Sequence, residues 1–254
     1  MEFYLNLNKV NEETAKMNSG GGKRYFSRKN IQANSDVDIR ILPPLKSLNG
    51  MYYLKVTSYW INRKNYISPA TFGLECPATE AVKAINNGSN QALKALVKAN
   101  EFERSEEYLI PILLLERNGS EVKVVDNCGK IFTATWGMIK QYNNFVTHRN
   151  YQNGSPLGIF DPVKGFNLTV GKTVSADRTS YTSMVWPTFT EIDSKFLKDI
   201  PDVYADTLEK MENQPDLGDA IQAYFGQVGS TTPADELPGQ ATTMSLMDRL
   251  KQQQ

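Results

Sequence analysis

The feature that most constrains this chain is a series of short runs rich in aromatic and β-branched residues, each bounded by turn formers. In VDIRILPPL (Val37–Leu45), Val37, Ile39 and Ile41 alternate with polar residues, and Pro43-Pro44 stops the run. MYYLKVTSYWI (Met51–Ile61) follows, and Asn62-Arg63-Lys64-Asn65 turns it back toward Tyr66-Ile67. YLIPILLLE (Tyr108–Glu116), VKVVD (Val122–Asp126), KIFTATW (Lys130–Trp136), FNLTVGKTV (Phe166–Val174) and SYTSMVW (Ser180–Trp186) repeat the pattern. Side chains alternate across a strand, so such runs predict a sheet. Five or more short strands interrupted by helical segments predict a mainly β, α+β chain, with an OB-fold-like β-barrel carrying a helical insertion.

The helical signals are local and of a different period. Pro77–Asn86 has proline at a first-turn position, Glu80 near the start, and Ala81, Val82 and Ile85 on one face. After Asn87-Gly88, Ser89 can cap a second helix with Leu93, Leu96 and Val97 as its apolar positions, so the insertion covers about 77–103. Residues 137–146 read as a short helix. From Glu191 an acidic helical segment, about 191–226, places Leu197, Val203, Leu208 and Met211, then Leu217, Ile221, Tyr224 and Phe225, among Asp and Glu. Residues 1–35 read as a flexible basic arm, with a joint at Asn18–Gly22 and a basic-aromatic cluster of Lys23, Arg24, Tyr25, Phe26, Arg28 and Lys29. The expected plan is this arm, a core over 36–229, and a disordered tail over 230–254.

Composition excludes several classes. No run approaches the ~20 apolar residues of a membrane span, and the N-terminal stretch lacks the apolar centre of a secretory leader. Two cysteines make no disulfide framework, so a reducing cytoplasm is expected. The single histidine, His148, sits in a polar stretch, and no nucleophile elbow, phosphate loop or HExxH appears. The paired acids Glu12-Glu13 and Glu106-Glu107 read as solvated faces. A non-enzymatic protein without cofactor is expected. Net charge is zero, but residues 1–190 hold 23 Lys/Arg against 16 Asp/Glu, and residues 191–254 hold 5 against 12. This is either chance unevenness on solvated faces or a basic body with an acidic competitor.

The strand candidates interleave aromatics with bases, the mixture that single-strand binders need. Rings stack on any base, and cations neutralise phosphates. Period two puts Tyr53, Lys55, Thr57 and Tyr59 on one side of Met51–Ile61, and Tyr52, Leu54, Val56, Ser58 and Trp60 on the other. The second set is more apolar and is the expected core face, with Trp60 inside it; the first is the expected binding face. Phe132 and Trp136 share a face with Lys130, and could equally bind or fill the barrel. The expected binding residues are Arg40, Tyr53, Lys55, Tyr59, Arg63, Lys64, Tyr66, Lys130, Phe132, Trp136, Lys140, Lys164, Phe166, Lys172, Arg178 and Tyr181.

In this order, VDIRILPPL, LKVTSYWINRKNYISP with ECPA (Glu75–Ala78), GKIFTATWGMIKQY (Gly129–Tyr142), FDPVKGFNLTVGKTV, TSYTSMVW, SKF (Ser194–Phe196) and YFGQV (Tyr224–Val228) resemble the helix-destabilising single-stranded-DNA-binding proteins of T-even-like bacteriophages. The resemblance covers about residues 36–229. It implies an OB-fold core, a basic cleft lined with rings, and a part in phage replication, recombination and repair in the host cytoplasm, with self-association on DNA. The chain departs from that family in two ways. Zinc-bearing members open their metal site with Cys-Pro-x-Cys, where this chain reads Cys76-Pro77-Ala78-Thr79, so no zinc is expected. The family's basic cooperativity signal and long acidic tail are also missing in their usual form. The alternative reading is an OB-type adaptor of a replication or recombination complex with weak DNA affinity. Under either reading, Met244, Met247 and Leu250 recur at helical spacing in the tail and suit a hook for phage replication or recombination proteins, unless the tail is inert.

Overall fold

A computed structural model of the chain describes residues 24–89, 94, 103–118 and 121–228. Among them are eight strands: β1 (Tyr25–Ser27), β2 (Ser35–Ile41), β3 (Leu54–Ile61), β4 (Lys64–Ile67), β5 (Glu103–Asn118), β6 (Glu121–Ala134), β7 (Gly165–Val174) and β8 (Thr179–Thr190). Five helices accompany them: α1 (Pro77–Asn87), α2 (Trp136–Thr147), α3 (Ser194–Lys198), α4 (Val203–Asn213) and α5 (Leu217–Val228). The class is α+β with mixed strand pairing. Contacts divide the chain into two units, each built from separate stretches. One comprises residues up to Leu54 and Glu107–Tyr204; the other comprises Lys55–Glu106 and the residues from Ala205 on. β3 and β5 each run through the division between the two units.

In the first unit the strand order is β1-β6-β5-β2-β7-β8. All pairings in it are antiparallel except β1 with β6. β1 and β8 end this order, and no pairing joins them among the described residues. Alternation works as expected on one side of the sheet: Ile39, Ile41, Ile110, Ile112, Phe132, Leu168 and Val170 enter one core with Met138, Ile139 and Tyr142 of α2. Each such buried side chain contributes ~1.5–3 kcal/mol.

Two expectations change in this unit. Residues 24–35 are not a peripheral arm: Tyr25, Phe26 and Ser27 pair with Ile131, Phe132 and Thr133, and Phe26 and Ile31 are buried. A parallel partner more than a hundred residues away leaves no local signature. VKVVD and KIFTATW are also one strand, β6, rather than two. Asp126 and Asn127 take left-handed backbone at φ 59 and 49, a conformation these residue types tolerate, and the register against β5 shifts between Leu113 and Leu115.

The second unit is built on the β3–β4 hairpin. Ile61 pairs with Lys64, so the loop is the two residues Asn62-Arg63, with φ 50 and 62. Positive φ at both positions is the type I′ geometry that matches strand twist. The side chain of Gln214 closes the outer edge of β4, accepting from Ile67 N at 2.7 Å and donating to Ile67 O at 2.8 Å. Pro77 opens α1 and Glu80 lies in its first turn, where the helix dipole favours a carboxylate. Ala78, Ala81 and Ile85 of α1 and Leu217, Ile221 and Tyr224 of α5 bury against Tyr59, Ile61, Tyr66 and Cys76. The second insertion helix expected after Ser89, with Leu93, Leu96 and Val97, lies outside the described residues. So do the Asn18–Gly22 joint, the Phe225 side chain and the tail over 230–254.

Candidate nucleic-acid interface

Helix α2 brings together the features a single strand would need. Thr135 caps it, accepting from Met138 N at 3.3 Å, so the helix starts directly after β6. Its buried stripe is Met138, Ile139 and Tyr142. The opposite side presents Trp136, 57% exposed, and Lys140, also exposed and one helical turn away. Trp136 is the outer end of an aromatic ladder. Its ring lies 5.8 Å from Tyr108, which is 5.5 Å from Tyr53; Tyr53 is 5.0 Å from Tyr52, and Tyr52 is 4.9 Å from Phe160. Tyr52 Oη donates to Asn143 Oδ1 at 2.6 Å, fastening the ladder to α2. Burial pushes the Tyr52 and Tyr142 phenols well above their ordinary range, so both stay neutral, Tyr52 Oη donating to Asn143 and Tyr142 Oη accepting from Ser183 Oγ at 3.5 Å. An exposed indole held by rings behind it can stack on a base without first being ordered.

A second aromatic string runs from Phe145 through Tyr151 (6.1 Å) and Phe166 (5.4 Å) to Phe189 (6.4 Å). Phe166 is buried, and Phe189, 55% exposed, is the surface ring. Lys164 is exposed just before β7, and Arg178 is exposed in the β7–β8 turn, where its N–H and C=O bond Ser175. Tyr181 pairs in register with Lys172 and packs half-buried on the core. Lys172 Nζ donates to Ile31 O at 2.7 Å and Lys29 O at 3.2 Å, so this cation fastens the chain after β1.

The known families offer no guide. No family model matches this chain, and no curated protein does. The site must be read from its own residues, and several expected members are buried and bonded within the fold. Phe132 is fully buried, 6.1 Å from Phe26. Lys130 is 4% exposed, with Nζ 2.7 Å from Asp126 Oδ2 across the bend in β6. Arg40 is 1% exposed, and its guanidinium donates to Asp161 O, Thr190 O, Thr190 Oγ1 and Asn167 Oδ1 at 2.6–3.3 Å. Gly165 is required beside it, because a Cβ there would fall on the Arg40 guanidinium and on the carbonyl oxygens of Asp161 and Ile159.

In the second unit the expected faces are reversed at their outer end. Tyr59 is 2% exposed and Tyr66 is buried opposite it, whereas Trp60 is 45% exposed. Val56, Thr57, Ser58 and Tyr59 are all buried, so both sides of β3 are covered there and alternation of polarity no longer marks the inside. The two-residue turn held the missing signal, since it forces Tyr59 opposite Tyr66 and Trp60 opposite Asn65. Lys55 is exposed and 3.0 Å from Glu106, while Arg63 and Lys64 are exposed at the hairpin end. Trp60 and Phe189 are the exposed rings that sequence reasoning missed.

Proposed function

We propose that this protein binds single-stranded DNA non-enzymatically and without sequence preference, as phage-type helix-destabilising proteins do, on an OB-type arrangement of the first unit's strands. The observation that supports the reading best is Trp136, a mostly exposed indole backed by Tyr108, Tyr53 and Tyr52, with Lys140 one turn along the same helix. Bases stack on the ring whatever their identity, and the ammonium meets the backbone. Protection of single strands during replication, recombination and repair in a host cytoplasm follows from the same reading.

Fluorescence anisotropy with a labelled oligo-dT tests it. Binding should weaken with salt at a log–log slope of roughly −3 if about four phosphates are neutralised, from ~−0.7 per phosphate. Trp136→Ala should cost ~1–3 kcal/mol of affinity. Tighter binding to duplex, or affinity indifferent to both salt and Trp136, would remove the proposal.

A further inference from the structure

The side of the first unit's sheet that faces away from its main core carries a groove of about 400 Å³. Arg40 and Asn167 lie in its lining. Both are 1% exposed, and each keeps one unused donor: Arg40 Nε and Asn167 Nδ2 have no hydrogen-bond partner. The Asn167 amide cannot be turned to remove the problem. Its Oδ1 already accepts from Arg40 Nη1 at 3.3 Å and Thr190 Oγ1 at 3.2 Å, and a guanidinium only donates. A buried donor without a partner costs ~1–3 kcal/mol.

The charge is unbalanced as well. All four acceptors of the Arg40 guanidinium are neutral oxygens. Burial lowers its pKa to about 10, and the Asp161 carboxylate offsets this only in part. That carboxylate is itself engaged elsewhere, accepting from Val163 N at 2.8 Å and Lys164 N at 2.7 Å. Behind the lining of the groove therefore lie a desolvated cation and two donor nitrogens without partners, which a small side-chain shift would bring to whatever enters.

The rest of the lining narrows the ligand. Leu115, Val124, Ile192 and Phe196 make apolar walls. Lys123 and Lys195 also line the groove, as do Glu191 and Asp193, so with Arg40 the lining carries one net positive charge. A nucleic-acid strand brings a charge with every nucleotide, and its second and third phosphates would meet the two acids. One carboxylate between apolar side chains suits the donors, the walls and the single net charge. We propose that this groove docks an acidic-apolar peptide segment of a partner protein, one carboxylate on Arg40 and Asn167 with aliphatic neighbours on the walls. The proposal is independent of strand binding.

The test uses the full chain, labelled with nitrogen-15, and two probe peptides: acetyl-Leu-Asp-Leu-amide and its Asn counterpart. The aspartyl peptide should shift the Arg40 Nε–H and Asn167 Nδ2–H resonances saturably, and the asparaginyl peptide should not. Arg40 and Asn167 are too buried to replace safely, so the variant is Lys123→Glu with Lys195→Glu, both exposed. It should weaken the aspartyl peptide about tenfold while leaving the protein folded. No shift with either peptide, equal shifts with both, or an unchanged affinity in the variant overturns the proposal. So does oligo-dT moving the same two resonances, which assigns the groove to the strand, and so does protection of both N–H groups by a bound water that the peptide leaves in place.

Discussion

Tyr59 and Trp60 are adjacent, similar in size, and opposite in consequence. Tyr59 is buried with Ile61, Tyr66, Cys76 and the faces of α1 and α5, and its hydroxyl lies 2.9 Å from Thr79 Oγ1. Truncating a buried large aromatic to alanine costs ~3–5 kcal/mol, and losing the hydrogen bond adds about 1 kcal/mol. Trp60 is 45% exposed and faces Asn65 across the hairpin, so Trp60→Ala should cost under about 1 kcal/mol. Urea denaturation followed by far-ultraviolet circular dichroism separates the two. With a slope of about 2 kcal/mol per molar urea, Tyr59→Ala should lower the midpoint by roughly 2–3 M and Trp60→Ala by well under 1 M. Tyr59→Phe isolates the hydroxyl and should cost about 1 kcal/mol. If Trp60→Ala is the more damaging change, the face assignment of β3 is displaced by one residue and the second unit's core is wrong.

Gly165→Ala should destabilise by ~1–3 kcal/mol or more, because the new methyl must displace the Arg40 guanidinium from its four acceptors; an unchanged thermal midpoint would refute the clamp. Stability should fall above about pH 10, where unfolded tyrosine ionises while Tyr52 and Tyr142, with raised folded pKa values, still hold their protons. Arg40 acts in the opposite sense above about pH 10, since burial makes its folded pKa the lower one, but it is one group against two. Tyr142→Phe should flatten the alkaline loss, read as the urea midpoint against pH. Chelators should leave the thermal midpoint unchanged, because Cys76 is buried among apolar side chains and Thr79, where the zinc-bearing pattern needs a thiolate, is hydrogen-bonded to Tyr59; one zinc per chain by elemental analysis would contradict this.

Local chemistry was enough to read much of the fold. Alternation located β2, runs of aromatic and β-branched residues located β3, β7 and β8, and proline with a first-turn glutamate located α1 to within a residue of its end. Residue types place the turn at Asn62–Asn65, and the fold narrows it to Asn62-Arg63. Hydrophobic period also picked the α5 stripe of Leu217, Ile221 and Tyr224. In the candidate interface, residue type points to Trp136 and Lys140 as binding residues, but Trp136 reads as the end of a strand beside Phe132; only the fold starts the helix at Trp136 and so puts it one turn from Lys140.

Tertiary structure decided the rest, and always for the same reason: burial depends on what covers a surface, which is set by residues far along the chain. β1 is a core strand only because β6 lies beside it, so a basic-aromatic cluster that reads as a free arm becomes part of a sheet. Tyr59 is inside because α1 and α5 close over it, and Trp60 is outside because nothing described covers it. Arg40, Lys130 and Lys172 are three of the cations a sequence assigns to phosphates. Fold-level contacts commit them instead to Asp161, Thr190 and Asn167, to Asp126, and to the carbonyls of Lys29 and Ile31. Residue type sets what a side chain can do, but the distant segments packed around it determine whether it is free to do so.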